Sequence, residues 1–197
     1  MSKIPHVVIL GGGFGGLSAA NEIRNSLDSS KVNITIIDKK DWFMVGYAKL
    51  WIMNGSRTFE NSIGSLNELP KKQINFIKDE IIEINTKNNF VKTKSENILF
   101  DFLIISMGAV LAPEKIPGLR DNGFNLYDHN QLNQINEKLN KIQSGKIAIV
   151  IMGMPYKCPP APFEASLLVD SMLRKRGIRN SVQIDFFSPA PITLPAA

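Results

Sequence analysis

The sequence predicts an α/β protein laid out on parallel sheet, and three observations carry that expectation. Residues 7–10, VVIL, form a short apolar run that ends on a glycine-rich turn, GGGFGG, at 11–16. The stretch GLSAANEIRNSL from Gly16 then places apolar residues at helical spacing, and VNITIIDKK returns to the β-branched composition of a strand. The same order of strand, turn, helix and strand recurs from Lys146, in KIAIVIMG, FEASLLVDSMLRKRG and VQIDFFSP. Strand-helix-strand units of this kind build parallel sheets.

Composition sets bounds. A chain of 197 residues holds one domain, or one and part of another. Its 44% hydrophobic and 21% charged residues, with both signs interspersed, belong to an ordinary folded chain and not to a disordered one. The net charge of +5 favours an anionic partner such as a membrane surface. Its lysines and arginines form no block and are not interleaved with aromatics, which argues against nucleic acid. Cys158, the single cysteine, cannot form an intrachain disulfide, so the framework of a small secreted domain is excluded. The opening MSKIPHVVILGGG holds too short an apolar run for a signal peptide or a membrane span. A cytoplasmic chain is expected, with contact at the inner membrane surface left open.

Between these landmarks, the mixed stretch from Trp42 to Leu69 reads as an irregular or weakly helical loop over a site. The segment INFIKDEIIEINTKNNFVKTKSENILFDFLIISMGA reads as short strands around an NN turn, its last run fully buried. Prolines and glycines in VLAPEKIPGLRDNGFNLYD mark a linker near 111–128, and NQLNQINEKLNKIQSG reads as a polar amphipathic helix closing on Gly145. KIAIVIMG is expected as a second buried strand, and Gly177 as the C-cap of the helix before it. The division expected is 1–112 for a first nucleotide-binding half, 113–145 for linker and helix, and 146–197 for an incomplete second half. A buried parallel sheet needs several strands, and the residues after Lys146 suffice for one βαβ unit and a tail.

The first turn carries recognisable chemistry. Gly11, Gly13 and Gly16 fit GxGxxG: the first for a tight turn, the second for close approach of a pyrophosphate, the third for helix-on-strand packing. The helix that follows offers free N–H groups to phosphate. Asp38, at the end of the second strand, is placed to accept hydrogen bonds from ribose hydroxyls. A Rossmann-like domain binding an adenine dinucleotide follows, and the motif leaves FAD and NAD open.

The second turn departs from the pattern. GMPYKCPPAPFEA, 153–165, replaces the expected glycines by bulky residues and four prolines, which lack the N–H a phosphate needs, so a nicotinamide cofactor is disfavoured there. It offers instead a thiol, Cys158, just ahead of a helix, where the dipole and Lys157 favour thiolate. Glu164 is a candidate proton carrier or a complement to the helix start. The bland alternative for Cys158 is a small buried hydrophobe. His6 and His129 stand apart from other metal-ligating residues, so no metal site is expected. Trp42, Tyr47 and Trp51 read as packing before flavin contacts, and Lys49 and Arg57 as solvated before phosphate contacts.

Taken together, VVILGGGFGGLSAA, GYAKLWIMNGSR, DFLIISMGA leading to IPGL, and above all GMPYKCPPAPFEASLLVDSMLRKRG, make the chain resemble the sulfide:quinone oxidoreductase and flavocytochrome c sulfide dehydrogenase branch of the FAD-dependent pyridine nucleotide-disulfide oxidoreductases. The resemblance implies FAD as cofactor, held by Gly11, Gly13, Phe14, Gly15 and Gly16, with Asp38 and Lys39 at the adenosine ribose and Ser106 and Gly108 near the cofactor. It implies Cys158 as one half of a redox-active pair, with sulfide as donor and a quinone or cytochrome-type acceptor as partners; Glu164 is the catalytic candidate beside it from its position alone. The family's second catalytic cysteine, third FAD-contacting segment and C-terminal apolar surface have no counterpart in these residues. The chain therefore reads as a C-terminally truncated or fragmentary enzyme, as a homo-oligomer, or as one piece that associates with a missing half. The alternatives are an NADH-dependent flavoenzyme of the type II NADH dehydrogenase kind and a non-catalytic nucleotide-binding remnant.

Overall fold

The computed structural model describes residues 3–190. In chain order these form β1 (His6–Leu10), α1 (Phe14–Ser26), β2 (Asn33–Asp38), β3 (Trp42–Met44), α2 (Ala48–Met53), β4 (Ile63–Ser65), β5 (Asn75–Lys78) and β6 (Ile81–Asn85). There follow β7 (Phe90–Thr93), β8 (Asn97–Leu99), β9 (Phe102–Ile105), α3 (Leu119–Asn122), α4 (Leu132–Lys141), β10 (Gly145–Val150), α5 (Ala161–Lys175) and β11 (Val182–Phe187). The chain divides into two compact units: one holds the chain up to Met44 with Ile63–Val110, the other Val45–Ser62 with the chain from Leu111 onward. Residues 45–62 thus cluster with the second unit, although they precede position 112 in the chain.

The first unit is built on a parallel sheet of order β5-β2-β1-β9. Its centre is β1, where Val8, Ile9 and Leu10 are fully buried. Alternate residues of a strand face opposite ways, and both faces are covered. Val7 and Ile9 pack with Ile34, Ile36, Leu66 and Leu69, against Leu17 and Ile23 of α1. Val8 and Leu10 pack with Ile37 of β2 and, from the antiparallel β6-β7-β8 layer, with Val91 of β7, Ile98 of β8 and Phe100 just beyond it. That is why VVIL is apolar throughout and does not alternate. Each such side chain contributes about 1.5–3 kcal/mol on burial.

Three expectations for this unit are corrected. The helix begins at Phe14 rather than Gly16, because Gly13 already has extended backbone and serves as its N-cap. The stretch from Trp42 is ordered: β3 pairs antiparallel with β4, Phe43 opposite Gly64, and these strands are too short to show a period in sequence. FLII of β9 is not fully buried. It pairs with β1, and Phe102 and Ile105 are about 60% exposed because β9 lies at the sheet edge among the described residues.

The second unit holds β10 and β11 as a parallel pair, Gly145 opposite Val182 through Val150 opposite Phe187. Ala165, Val169 and Leu173 of α5 pack with Val182 and with Leu50 and Met53 of α2. Arg176 donates to the carbonyls of Leu139 and Ile142, satisfying the C-terminal end of α4. Arg179 donates to Asp170 and to the Val182 carbonyl, fixing the approach to β11. Here too the sequence is corrected: α4 ends at Lys141, where Ile142 turns to extended backbone, and Gly145 instead opens β10 with φ of 117°. β10 is alternately exposed and half-buried, not buried, since it has one strand neighbour among the described residues. Gly177, φ 70°, lies one residue past the helix cap Arg176.

A candidate dinucleotide site and a cysteine turn

The carboxyl ends of β1, β2 and β9 meet at the glycine turn, and hydrogen bonds fix its shape. Gly11 has φ of 99°, a conformation that favours glycine, and donates to the Ile37 carbonyl at 2.8 Å. The Ser106 hydroxyl donates to the Leu10 carbonyl at 2.8 Å, with the Gly11 carbonyl at 3.2 Å. Ser106 therefore clamps the turn from β9. Asp38 accepts the Gly12 N–H at 2.8 Å and the Lys40 N–H at 2.9 Å. A carboxylate has about four lone-pair sites, so these two bonds leave capacity for a ligand's hydroxyls.

What a side chain would meet at each glycine separates packing from binding. A Cβ on Gly16 would lie 1.9 Å from the Gly11 oxygen, and one on Gly11 2.5 Å from the Ser106 oxygen. One on Gly13 would meet nothing within 4 Å. Gly11 and Gly16 are thus required by the protein's own backbone, whereas the bare backbone at Gly13 faces open space where a pyrophosphate would lie. Gly13 gives α1 no side-chain cap, and the first turn carries no acidic residue, so the helix N-terminus is left to accept an anion. These features fit an FAD-type dinucleotide.

The other expected contacts gather here or beside it. Phe14 is 60% exposed and meets Phe43 edge to face at 4.9 Å. Gly15 approaches the Ser106 Cβ, Lys39 is exposed next to Asp38, and Gly108, with φ of 73°, follows β9. Leu66 closes over Gly12, a contact with no local signal in the sequence.

Cys158 and Glu164 belong to the second unit. Cys158 is exposed, with φ of 56°, left-handed backbone that is uncommon for a side-chain-bearing residue. It lies two residues before the N-cap Pro160, and its carbonyl accepts the Ala161 N–H at 3.0 Å. The small-buried-hydrophobe reading is thereby set aside. Tyr156 donates to the Pro159 carbonyl at 3.0 Å, and Glu164 is exposed in the first turn of α5. Tyr127, which the sequence did not single out, has a buried hydroxyl with no hydrogen-bond partner among the described residues. Burial first, then the nearby Cys158 and Tyr156, pushes its phenol up to about 12. Lys49 and Arg57 are not simply solvated: Lys49 donates to the Tyr127 carbonyl, and Arg57 lies over the Trp51 ring at 4.3 Å, with Tyr47 edge to face on Trp51. Lys40 lies over Trp42. His6 hydrogen-bonds Thr35. No helix among the described residues is long and apolar enough to cross a membrane.

Comparison with known proteins identifies the family and the fold. The chain is 29% identical over 205 residues to a mitochondrial sulfide:quinone oxidoreductase of Dictyostelium discoideum, covering 99% of this chain and 44% of that protein. It is 31% identical to a sulfide-quinone reductase of Aquifex aeolicus, covering 94% and 43% respectively. The X-ray structure of the sulfide:quinone oxidoreductase from Aquifex aeolicus superposes with a TM-score of 0.85 at 30% identity, over 92% of this chain and 42% of that one. The NDH2 of Plasmodium falciparum shares the fold, with a TM-score of 0.76 at 20% identity. The chain spans less than half the length of the curated relatives it matches. Residues 5–153 match the pyridine nucleotide-disulphide oxidoreductases, and the chain belongs to this family of FAD-dependent enzymes.

Proposed function

We propose that the chain binds FAD on its glycine turn and, together with the part of the family's length that these residues do not cover, passes electrons from sulfide through a cysteine site and FAD to a quinone or similar acceptor. The observation that carries the reading is the contrast between the closed Gly11 and Gly16 and the open Gly13. The N-terminal N–H groups of α1 receive the pyrophosphate, and Asp38 accepts from the adenosine ribose, with Lys39 beside it. Ser106 holds the turn in shape, and Gly108 leaves room next to the cofactor. Bound FAD supplies two-electron acceptance.

Cys158 supplies a nucleophilic sulfur on an exposed turn. It is the single cysteine of the 197 residues, so a disulfide for sulfide to open needs a second thiol from outside them. Attack by sulfide on that disulfide leaves a persulfide on one cysteine and releases the other as thiolate, and Glu164 takes up the proton. Relatives named sulfide:quinone oxidoreductases, at 29 and 31% identity, support this reading over the type II NADH:quinone oxidoreductases, at 24%.

Titration of the purified chain with FAD, followed by flavin fluorescence, tests the first step. Addition of sulfide or NADH to the assembled holoprotein, followed by flavin absorbance, tests the second. Expected are FAD binding retained in Cys158→Ser and sulfide-dependent bleaching lost. Rapid bleaching by NADH but not sulfide establishes the NADH-dependent alternative. Tight FAD with a thiol inert to sulfide and alkylating reagents establishes the non-catalytic one.

A further inference from the structure

Tyr127 is fixed at its backbone and unpaired at its hydroxyl. Its N–H donates to the Asn125 side chain at 2.9 Å, and its carbonyl accepts from Lys49 of α2. The Asn125 N–H donates in turn to the Gln131 side chain at 2.7 Å, and the Asp128 N–H to the Asn125 carbonyl at 3.0 Å, so the turn that carries Tyr127 is tied to the start of α4. The hydroxyl oxygen is buried and has no hydrogen-bond partner among the described residues. Burying an unpaired hydroxyl costs the whole of its desolvation. Phenylalanine would fill the same space without that cost, so packing does not account for the oxygen.

The residue stands beside the cysteine turn. Tyr127 lines one cavity of the second unit together with Met154, Pro155 and Tyr156, the run that leads into Cys158. After burial, the larger cause, the charges of Cys158 and Tyr156 push the Tyr127 phenol up to about 12, so it keeps its proton wherever a thiol ionises. The neighbouring phenol is already engaged, since Tyr156 donates to the Pro159 carbonyl at 3.0 Å. A neutral thiol is a weak acceptor, whereas an ionised one accepts a shorter and stronger charge-assisted bond. A donor set beside Cys158 is therefore unpaired while the sulfur is protonated and gains its acceptor when the sulfur carries charge.

We propose that the Tyr127 hydroxyl is the hydrogen-bond donor to the negative sulfur of Cys158, favouring thiolate from the buried side of the turn without giving up its own proton. The other groups around the turn act differently. Lys157 and Glu164 are exposed, so their charges reach the sulfur through water and are screened by salt. Lys49 is engaged with the Tyr127 carbonyl and serves to hold the ring in place. The Tyr127 bond forms out of water, where a hydrogen bond is electrostatically stronger. The inference rests on the reading of Cys158 as a reactive sulfur, and it names the group that sets how readily that sulfur becomes a nucleophile.

The test is the pH profile of alkylation by iodoacetamide, measured on the intact chain and on Tyr127→Phe, with Cys158→Ser as the blank. Lys49, Tyr156, Lys157 and Glu164 are common to the first two proteins, so a difference between their profiles reports the one oxygen. At pH 7 the variant is expected to react about threefold or more slowly, since a hydrogen bond to the charged form favours it. At pH 10 the two rates meet or cross, because a less stabilised thiolate is the stronger nucleophile. Superimposable profiles overturn the proposal, and so does a variant slowed by the same factor at every pH, which is a change of access and not of ionisation. A wild-type thiol inert to iodoacetamide overturns it together with the reactive reading of Cys158. Sulfide-dependent bleaching of the holoprotein is read separately, so bleaching that persists alongside superimposable profiles removes this inference alone, and a pH-dependent difference without bleaching removes the sulfide reading alone.

Discussion

Adding one methyl group to the glycine turn separates folding from binding. In Gly16→Ala the new Cβ lies 1.9 Å from the Gly11 oxygen, where 3.0 Å is the closest a real Cβ comes, and 2.9 Å from the Ser106 hydroxyl oxygen. The obstacle is backbone, and the Ser106 bonds pin that backbone from the other side. Helix α1 would have to draw back from β1 by roughly an ångström, and overpacking of this kind costs about 1–3 kcal/mol. A 1.9 Å approach to backbone places the cost in the upper half of that range, about 2–3 kcal/mol, and alanine recovers about 1 kcal/mol of helix propensity at most, so a net loss of about 1–2 kcal/mol is expected. In Gly13→Ala the methyl meets nothing, and the backbone there, φ −87° and ψ −164°, suits any residue. Stability then changes by less than about 1 kcal/mol, the cost of an unfavourable N-cap, while FAD affinity falls about tenfold or more, 1.4 kcal/mol. Urea midpoints and FAD titrations on both variants make the comparison. If Gly16→Ala is as stable as the wild type, or Gly13→Ala binds FAD unchanged, the assignment of roles within the turn is wrong.

Three more outcomes follow from particular contacts. Tyr127→Phe removes a buried hydroxyl that has no partner among the described residues, so the chain alone gains about 1 kcal/mol in thermal unfolding, and loss of stability would mean that the hydroxyl is bonded. Arg179→Ala deletes the donor shared by Asp170 and the Val182 carbonyl; a loss of about 1–2 kcal/mol in urea unfolding is expected, with little recovery in Arg179→Lys, which lacks the planar fork. The Asp79 carboxyl is held down to about 2, by the Thr93 hydroxyl first and then by the amides of Glu80 and Ser95, against an ordinary value of 3.8. A lowered folded-state value favours the charged form, so this contribution is complete above 3.8 and disappears as pH falls toward 2. The stability difference between wild type and Asp79→Asn, measured by urea unfolding, should therefore shrink across that window and be flat from pH 5 to 7.

What the sequence made legible was chemistry carried by backbone. Gly16 is dictated by the Gly11 oxygen five residues back, Gly11 by its own positive φ as well as by Ser106 from β9, and Asp38 by its place at a strand end, so spacing within the turn reports them. Side chains that arrive from far along the chain leave no such signal. Leu66 over Gly12 and Lys49 on the Tyr127 carbonyl are joined across more than fifty residues. Nor did composition reveal order between Trp42 and Leu69, where three-residue strands and the single-turn-scale α2 are too short for a period to develop.

The errors about burial run in one direction, and that direction is informative. FLII of β9 and IAIVI of and just beyond β10 have the unbroken apolar character of strands covered on every side, yet Phe102, Ile105 and Val150 are each 43–61% exposed. An apolar run records the environment under which the sequence is stable, and it says nothing about how many neighbours one stretch of chain supplies. Where β1 has neighbours on both edges and layers on both faces, the same character ends in complete burial. β10 has one strand neighbour among the described residues and lines a cavity, so the same character stops short of burial there. The excess of apolar character over burial is thus found at sheet edges, at β9 as well as along β10.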